Sequence, residues 1–305
     1  MTEIDFPQRL IREIATGLGF GGGIAVGTAI VVFLAKNVAS NIFKRDIEKY
    51  KSGLKLRELD YNNKVEIKKQ LEAIVRKYSG KILLSASDLQ DRLWHVCQRQ
   101  SNSKNPVLLV DDDSQPMYGA WPMTKKHYLS STLYMFARYF YWVESLKTEF
   151  SYLDFGDDSK TNEFNYYLKK IERALADTNI QKYFYSRVKI DRPIFQFMQT
   201  EIGEHLAQDS EGCMSYKQFL SVYDELIKSS ESFAALKELL ILSQLKQSNN
   251  FTLTRLRIIS NALYELIYFL NKERALISPD QFEKVKLTNF KVELYEKDWP
   301  HLPRT

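Results

Sequence analysis

The chain is poor in the residues that catalysis and metal binding draw on. Its 305 residues hold two cysteines, Cys97 and Cys213, and four histidines, at 95, 127, 205 and 301. Two distant thiols build no disulfide framework and fit a reducing compartment. The sequence has no His-Glu-x-x-His pair, no Cys/His cluster at ligand spacing, no phosphate loop with its lysine, and no nucleophile beside a base. We therefore expect no enzymatic activity, no cofactor and no metal. His95 lies among apolar residues with no second ligand spaced to serve it, and reads as structural. Asp111, Asp112 and Asp113 are consecutive, so their carboxylates diverge, and they lack the alternation of a calcium loop. Disorder is excluded as well, because 44% hydrophobic and 13% aromatic residues are ample for a packed core. Forty-three Lys and Arg against 38 Asp and Glu leave +5, which allows an anionic partner without demanding one.

One long apolar run stands out. Residues 14–35, IATGLGFGGGIAVGTAIVVFLA, carry no ionisable side chain between Glu13 and Lys36. As a helix, 22 residues rise about 33 Å, enough for the ~30 Å hydrocarbon core of a bilayer. The run is too long, and its N-terminal flank too acidic, for a cleaved signal peptide. Gly17, Gly19 and Gly22 spell G-x-G-x-x-G, but no strand-to-helix unit or acidic ribose ligand surrounds them. Six of the twelve glycines fall in this run. Gly17 with Gly21, Gly19 with Gly23, and Gly23 with Gly27 are four apart and form ridges on which another helix can approach closely. Thr16 and Thr28 add hydroxyls that bond across helices or face water, and Phe33 closes the bulkier half. No second span answers the ridge, so its partners are expected to be other copies. The competing reading is a flexible single-pass anchor. Lys36, Lys44, Arg45, Lys49 and Lys51 follow the run while Arg9 and Arg12 precede it, which places the C-terminal part in the cytosol and the N-terminus outside the inner membrane.

The expected fold is all-α. Residues 1–13 form a short outer tail, 14–35 the transmembrane helix, 36–79 a basic stalk helix with a break at Ser52 and Gly53, 80–275 a helical bundle and 276–305 an irregular tail. Within the bundle, 126–155 is the most aromatic stretch and is expected at its centre or at a subunit contact. Arg138 inside it needs an anionic partner, for which Glu144 of the same helix is available. Asp191 is expected to cap a helix opened by Arg192 and Pro193, and Ser215 with Gln218 to form a capping box. A short strand is expected over 290–294. Lys182, Tyr183, Tyr185, Arg187, Lys189 and Arg192 interleave rings with cations, the chemistry that stacks bases and meets phosphates of single-stranded nucleic acid, although ordinary bundle surfaces carry such clusters too.

With SASDLQDRLWHV at 85–96 and STLYMFARYFYWVE at 131–144, this layout resembles the membrane effectors of the Hailong anti-phage system. The resemblance implies a tetrameric ion channel held shut by single-stranded DNA oligomers that a nucleotidyltransferase partner makes. A second expectation, from another class, is a non-conducting membrane-anchored scaffold that presents a helical bundle to a protein partner.

Overall fold

The computed structural model describes residues 24–102, 125–150, 159–185, 191–208, 212–243, 251–272, 277–278, 282–288 and 290–298. The architecture is all-α: α1 (Ile24–Asn102), α2 (Lys125–Phe150), α3 (Ser159–Ala176), a 3-10 turn (Asn179–Tyr183), α4 (Gln196–Glu204), α5 (Tyr216–Ser229), α6 (Glu231–Leu242), α7 (Phe251–Asn271) and α8 (Val292–Asp298). Among the described residues β pairing is confined to two isolated bridges, Phe184 with Phe290 and Ala207 with Cys213. The chain divides into two compact units, Met1–Glu66 and Ile67–Thr305.

In the first unit the described side chains of residues 44–66 are exposed, apart from half-buried Val65. The break expected at Ser52 and Gly53 does not occur, and the stalk and the segment from Ile82 belong to one helix of 79 residues. No proline interrupts the sequence between Pro7 and Pro106. Ser52 turns its hydroxyl back onto the carbonyl of Lys49 at 2.9 Å, and one exposed glycine costs a helix only about 1 kcal/mol. Of the span, residues 14–23 lie outside the described residues, and with them Thr16, Gly17, Gly19, Gly21 and Gly23. Gly27, Thr28 and Phe33 fall within α1. Among the described residues no helix is long and apolar enough to cross a membrane.

In the second unit, residues 67–102 of α1 run antiparallel to α2. Lys77 and Tyr78 meet Glu149 at 2.6 and 2.8 Å, Asp88 meets Arg138 at 2.9 Å, and Arg92 reaches Ser131 and Thr132 at 2.9 Å. Arg138 is thus served from α1, 50 residues away, and Glu144 instead holds Lys147 at 2.7 Å. The aromatic helix is central, as its rings imply: Phe136, Tyr139, Phe140 and Tyr141 are all buried. α4 crosses α2 so closely that a Cβ on Gly203 would stand 3.0 Å from backbone atoms of Phe140 and Tyr141. The capping box forms, with Ser215 and Gln218 bonding each other's backbone at the start of α5.

The other centre is α7, packed against α3 and α6. Fifteen of its 21 residues are buried, including ten in succession from Phe251 to Ser260, so its first half is enclosed on every side. Arg255, wholly buried, ties α7 to the end of α3. Its Nη1 donates to the carbonyls of Ala174 and Leu175 at 2.7 and 2.9 Å, and its Nη2 to that of Asp177 at 2.9 Å. These are carbonyls that a helix end leaves without intrahelical donors. Asp191 completes the set with contacts of 3.0 to 3.2 Å to Nε and Nη2. That duty explains why Asp191 caps nothing: α4 begins only at Gln196, after the extended Phe195. The expected strand over 290–294 is likewise replaced by the single bridge at Phe290 and the turn of α8 from Val292.

Breaking a buried pair from one side leaves a charge uncompensated, which costs about 3–5 kcal/mol. Asp191→Asn is expected to lower the unfolding free energy of the purified chain by that amount, as read from chemical denaturation. Arg255→Met combined with Asp191→Leu is expected to recover most of the loss.

Candidate ligand-binding face along α7

Arg257, Asn261, Tyr264, Tyr268 and Lys272 follow one another at spacings of three or four residues and therefore share a face of α7. Residues 277–278 and 282–288 return along this face in the opposite direction, as an irregular strap. The strap has no ladder to satisfy its peptide groups, and two asparagines supply what a strand would. Asn261 donates to the carbonyl of Val285 at 3.0 Å and accepts from its N–H at 2.7 Å. Asn271 does the same for Ile277, at 2.7 and 3.1 Å. A carboxamide offers the donor and acceptor of a peptide bond, so each asparagine can satisfy one residue in full. Gln90 of α1 holds the carbonyl of Glu283 at 3.2 Å, and Lys284 pairs with Glu265 at 2.9 Å.

Between strap and helix lies a cavity of about 360 Å³ lined by Tyr264, Tyr268, Asn271, Lys272, Ser278 and Phe282 among others. Its size and its mix of rings with a few polar groups suit a small ligand. Lys284 stands 5.7 Å from the centre of the Tyr264 ring, and Tyr268 is 63% exposed. Glu265 lies beneath the strap with Lys170 as a second, very close partner. Burial alone would push its carboxyl up; the lysine pair more than offsets this and leaves it below the ordinary range.

The face ends at Arg257, which is 6% exposed. Its Nη1 donates to Thr288 Oγ1 at 2.8 Å, and its Nε is buried without a partner. Near it, Cys97 is fully buried; desolvation pushes its thiol up to about 12, with the Arg257 charge working against that. Cys213 is pushed up to about 11, also by burial. At both thiols burial works against the thiolate, the form that reacts. Among the described residues no group of three or more His, Cys, Asp and Glu is placed to hold a metal.

The cluster expected to meet nucleic acid is only partly available. Tyr183 is buried against Phe290 and Tyr295, and donates to Asp298 at 3.0 Å. Lys182 pairs with the same carboxylate at 3.1 Å, and Arg192 with Glu238 at 2.9 Å. Tyr185 presents its ring, 72% exposed, with Lys291 at 5.6 Å. Arg187 and Lys189 lie outside the described residues. The α7 face escaped the sequence reading because its spacing is that of any amphipathic helix. The strap that gives it meaning is irregular and leaves no period.

Glu265 supplies a pH test. A carboxyl held below its unfolded value, about 4.3, contributes stability that is complete above that pH and is lost as pH falls through the folded value. Glu265→Gln is expected to cost about 1 kcal/mol at pH 7. By pH 3 the gap from wild type is expected to have narrowed, as read in thermal unfolding across pH.

Comparison with known protein families, with curated proteins and with solved structures finds no match for this chain.

Proposed function

We propose that the protein is a membrane effector of the channel type. In this reading its N-terminal segment crosses the inner membrane, copies associate through the glycine ridge, with a tetramer favoured, and the helical body in the cytosol takes a ligand that controls the pore. The observation that carries it is the run of 22 residues at 14–35 without an ionisable side chain and with half of the chain's glycines. Small-residue ridges associate helices inside a bilayer, where no hydrophobic force does so. The ligand that suits the body is anionic and of the nucleic-acid kind, such as a single-stranded DNA oligomer made by a nucleotidyltransferase partner. Support for it comes from Tyr185 with Lys291 and from the rings and lysines of the α7 face. The reading is one of gating, with no chemical step.

One observation favours the scaffold reading. Phe195 and Phe197 stack at 6.1 Å with planes 13° apart and are 42% and 68% exposed, an apolar patch of the sort that meets a protein partner.

Ion flux separates the two. Proteoliposomes carrying the wild-type chain are expected to conduct, and Gly19→Leu with Gly23→Leu to abolish the conductance without loss of membrane insertion. A wild-type chain that passes no current with or without oligodeoxynucleotide sinks the channel reading in favour of the scaffold.

A further inference from the structure

Arg255 and Arg257 are two residues apart on α7, both are buried, and their guanidiniums fare in opposite ways. Arg255 spends every nitrogen on Asp191 and three carbonyls. Arg257 makes one hydrogen bond, to Thr288, and among the described residues it has no carboxylate within ion-pair distance. An arginine stays protonated at any pH at which a protein folds. A buried cation without a counter-charge is costly, and one that a native fold keeps calls for an explanation, of which binding an ion is one.

The geometry of what is left open says which ion. Nε and Nη2 form the edge of the guanidinium that grips two oxygens of one group at once. Thr288 accepts from Nη1 and keeps its own hydroxyl proton to give. Ser260, one turn further along α7, is wholly buried, and its hydroxyl has no partner. All these groups can donate, and among the described residues no carboxylate pairs with Arg257 to repel a negative charge. Thr288 itself is exposed, so the acceptor of the Arg257 bond lies at the surface at the end of the strap while the guanidinium stays buried behind it. Along the same face lie Tyr264 and Tyr268, rings beside which the organic part of a ligand can rest.

We propose that Arg257, with the hydroxyl of Thr288, binds the phosphate group of a small ligand seated between α7 and the strap. The site does not depend on residues 14–35 crossing a membrane, and it stands or falls separately from the channel reading. Its oxyanion comes either from free phosphate or from a nucleoside phosphate whose base lies against Tyr264 or Tyr268.

The test is thermal unfolding of the purified full-length chain in chloride, in inorganic phosphate and in a deoxynucleoside monophosphate, all at one ionic strength. A ligand that binds only the folded state raises the transition as its concentration passes the dissociation constant. Phosphate is expected to raise the wild-type transition by a few degrees over chloride. The rise is expected to vanish in Arg257→Met, which should itself unfold higher than wild type in chloride because the uncompensated charge is gone. Arg257→Lys keeps a charge but not the two-pronged edge and is expected to lose most of the response. Should Arg257→Met not fold, Thr288→Val, at an exposed position, is expected to weaken the response several-fold. A nucleoside monophosphate acting at lower concentration than inorganic phosphate assigns the rings to the site, and equal potency confines recognition to the phosphate. A wild-type transition indifferent to phosphate overturns the proposal, and so does a phosphate shift that is the same in wild type and Arg257→Met.

Discussion

The body of the protein is organised around one guanidinium. Arg255 reaches from the enclosed half of α7 to the carbonyls at the end of α3, and Asp191 closes the arrangement from the segment that leads into α4. Three parts of the chain, separated by tens of residues, are thus held by one side chain. Packing alone would leave α7 free to slide in its apolar sleeve, since leucines and isoleucines have no directional preference. A fixed fork of donors aimed at fixed carbonyls sets both depth and rotation. The position of the α7 face follows from that setting: once Arg255 is locked inward, Asn261, Tyr264 and Tyr268 are committed to the strap.

Much of the helical layout can be read from the residues, and most of what ties the helices together cannot. Ser215 and Gln218 announce α5 because a capping box is complete within four residues. The rings of α2 announce a central helix because they crowd every side of it. Arg138 announces only its need. Glu144, on its own helix, is the partner the sequence offers, and the antiparallel pairing of α1 with α2 brings Asp88 from 50 residues away instead. Asp191 misleads in the same way, since an aspartate before Arg-Pro has the form of a cap until a buried arginine claims it. The cluster from Lys182 to Arg192 shows the limit for sites. Ring and cation are legible there, yet Asp298 and Glu238, which neutralise two of its cations, arrive from distant parts of the chain.

The α7 face and the patch at Phe195 and Phe197 differ in kind. Near Phe195 and Phe197 the surface is apolar and shallow, with Glu201 held in place by Ser230 and Ser232 at 2.8 and 2.6 Å. Its carboxyl is kept below the usual range by those two hydroxyls. Along α7 the surface is grooved, and rings, amides and cations share one stripe. The first offers area to a large partner, and the second offers directional contacts to a small one.

The strap has an energetic consequence of its own. It is fixed by two asparagines, a glutamine, the Arg257 bond to Thr288 and one ion pair, contacts each worth on the order of 1 kcal/mol net, and by a few apolar side chains such as Phe282 and Val285. The helix beneath it is sealed by the whole core. Amide hydrogens of 282–288 should therefore exchange with solvent through a local, sub-global opening, whereas those of 251–260 wait for the entire unit to unfold. A segment that detaches on its own, over a surface that does not, gives the fold two levels of cooperativity, and whatever enters beside α7 has to work against only the lower one.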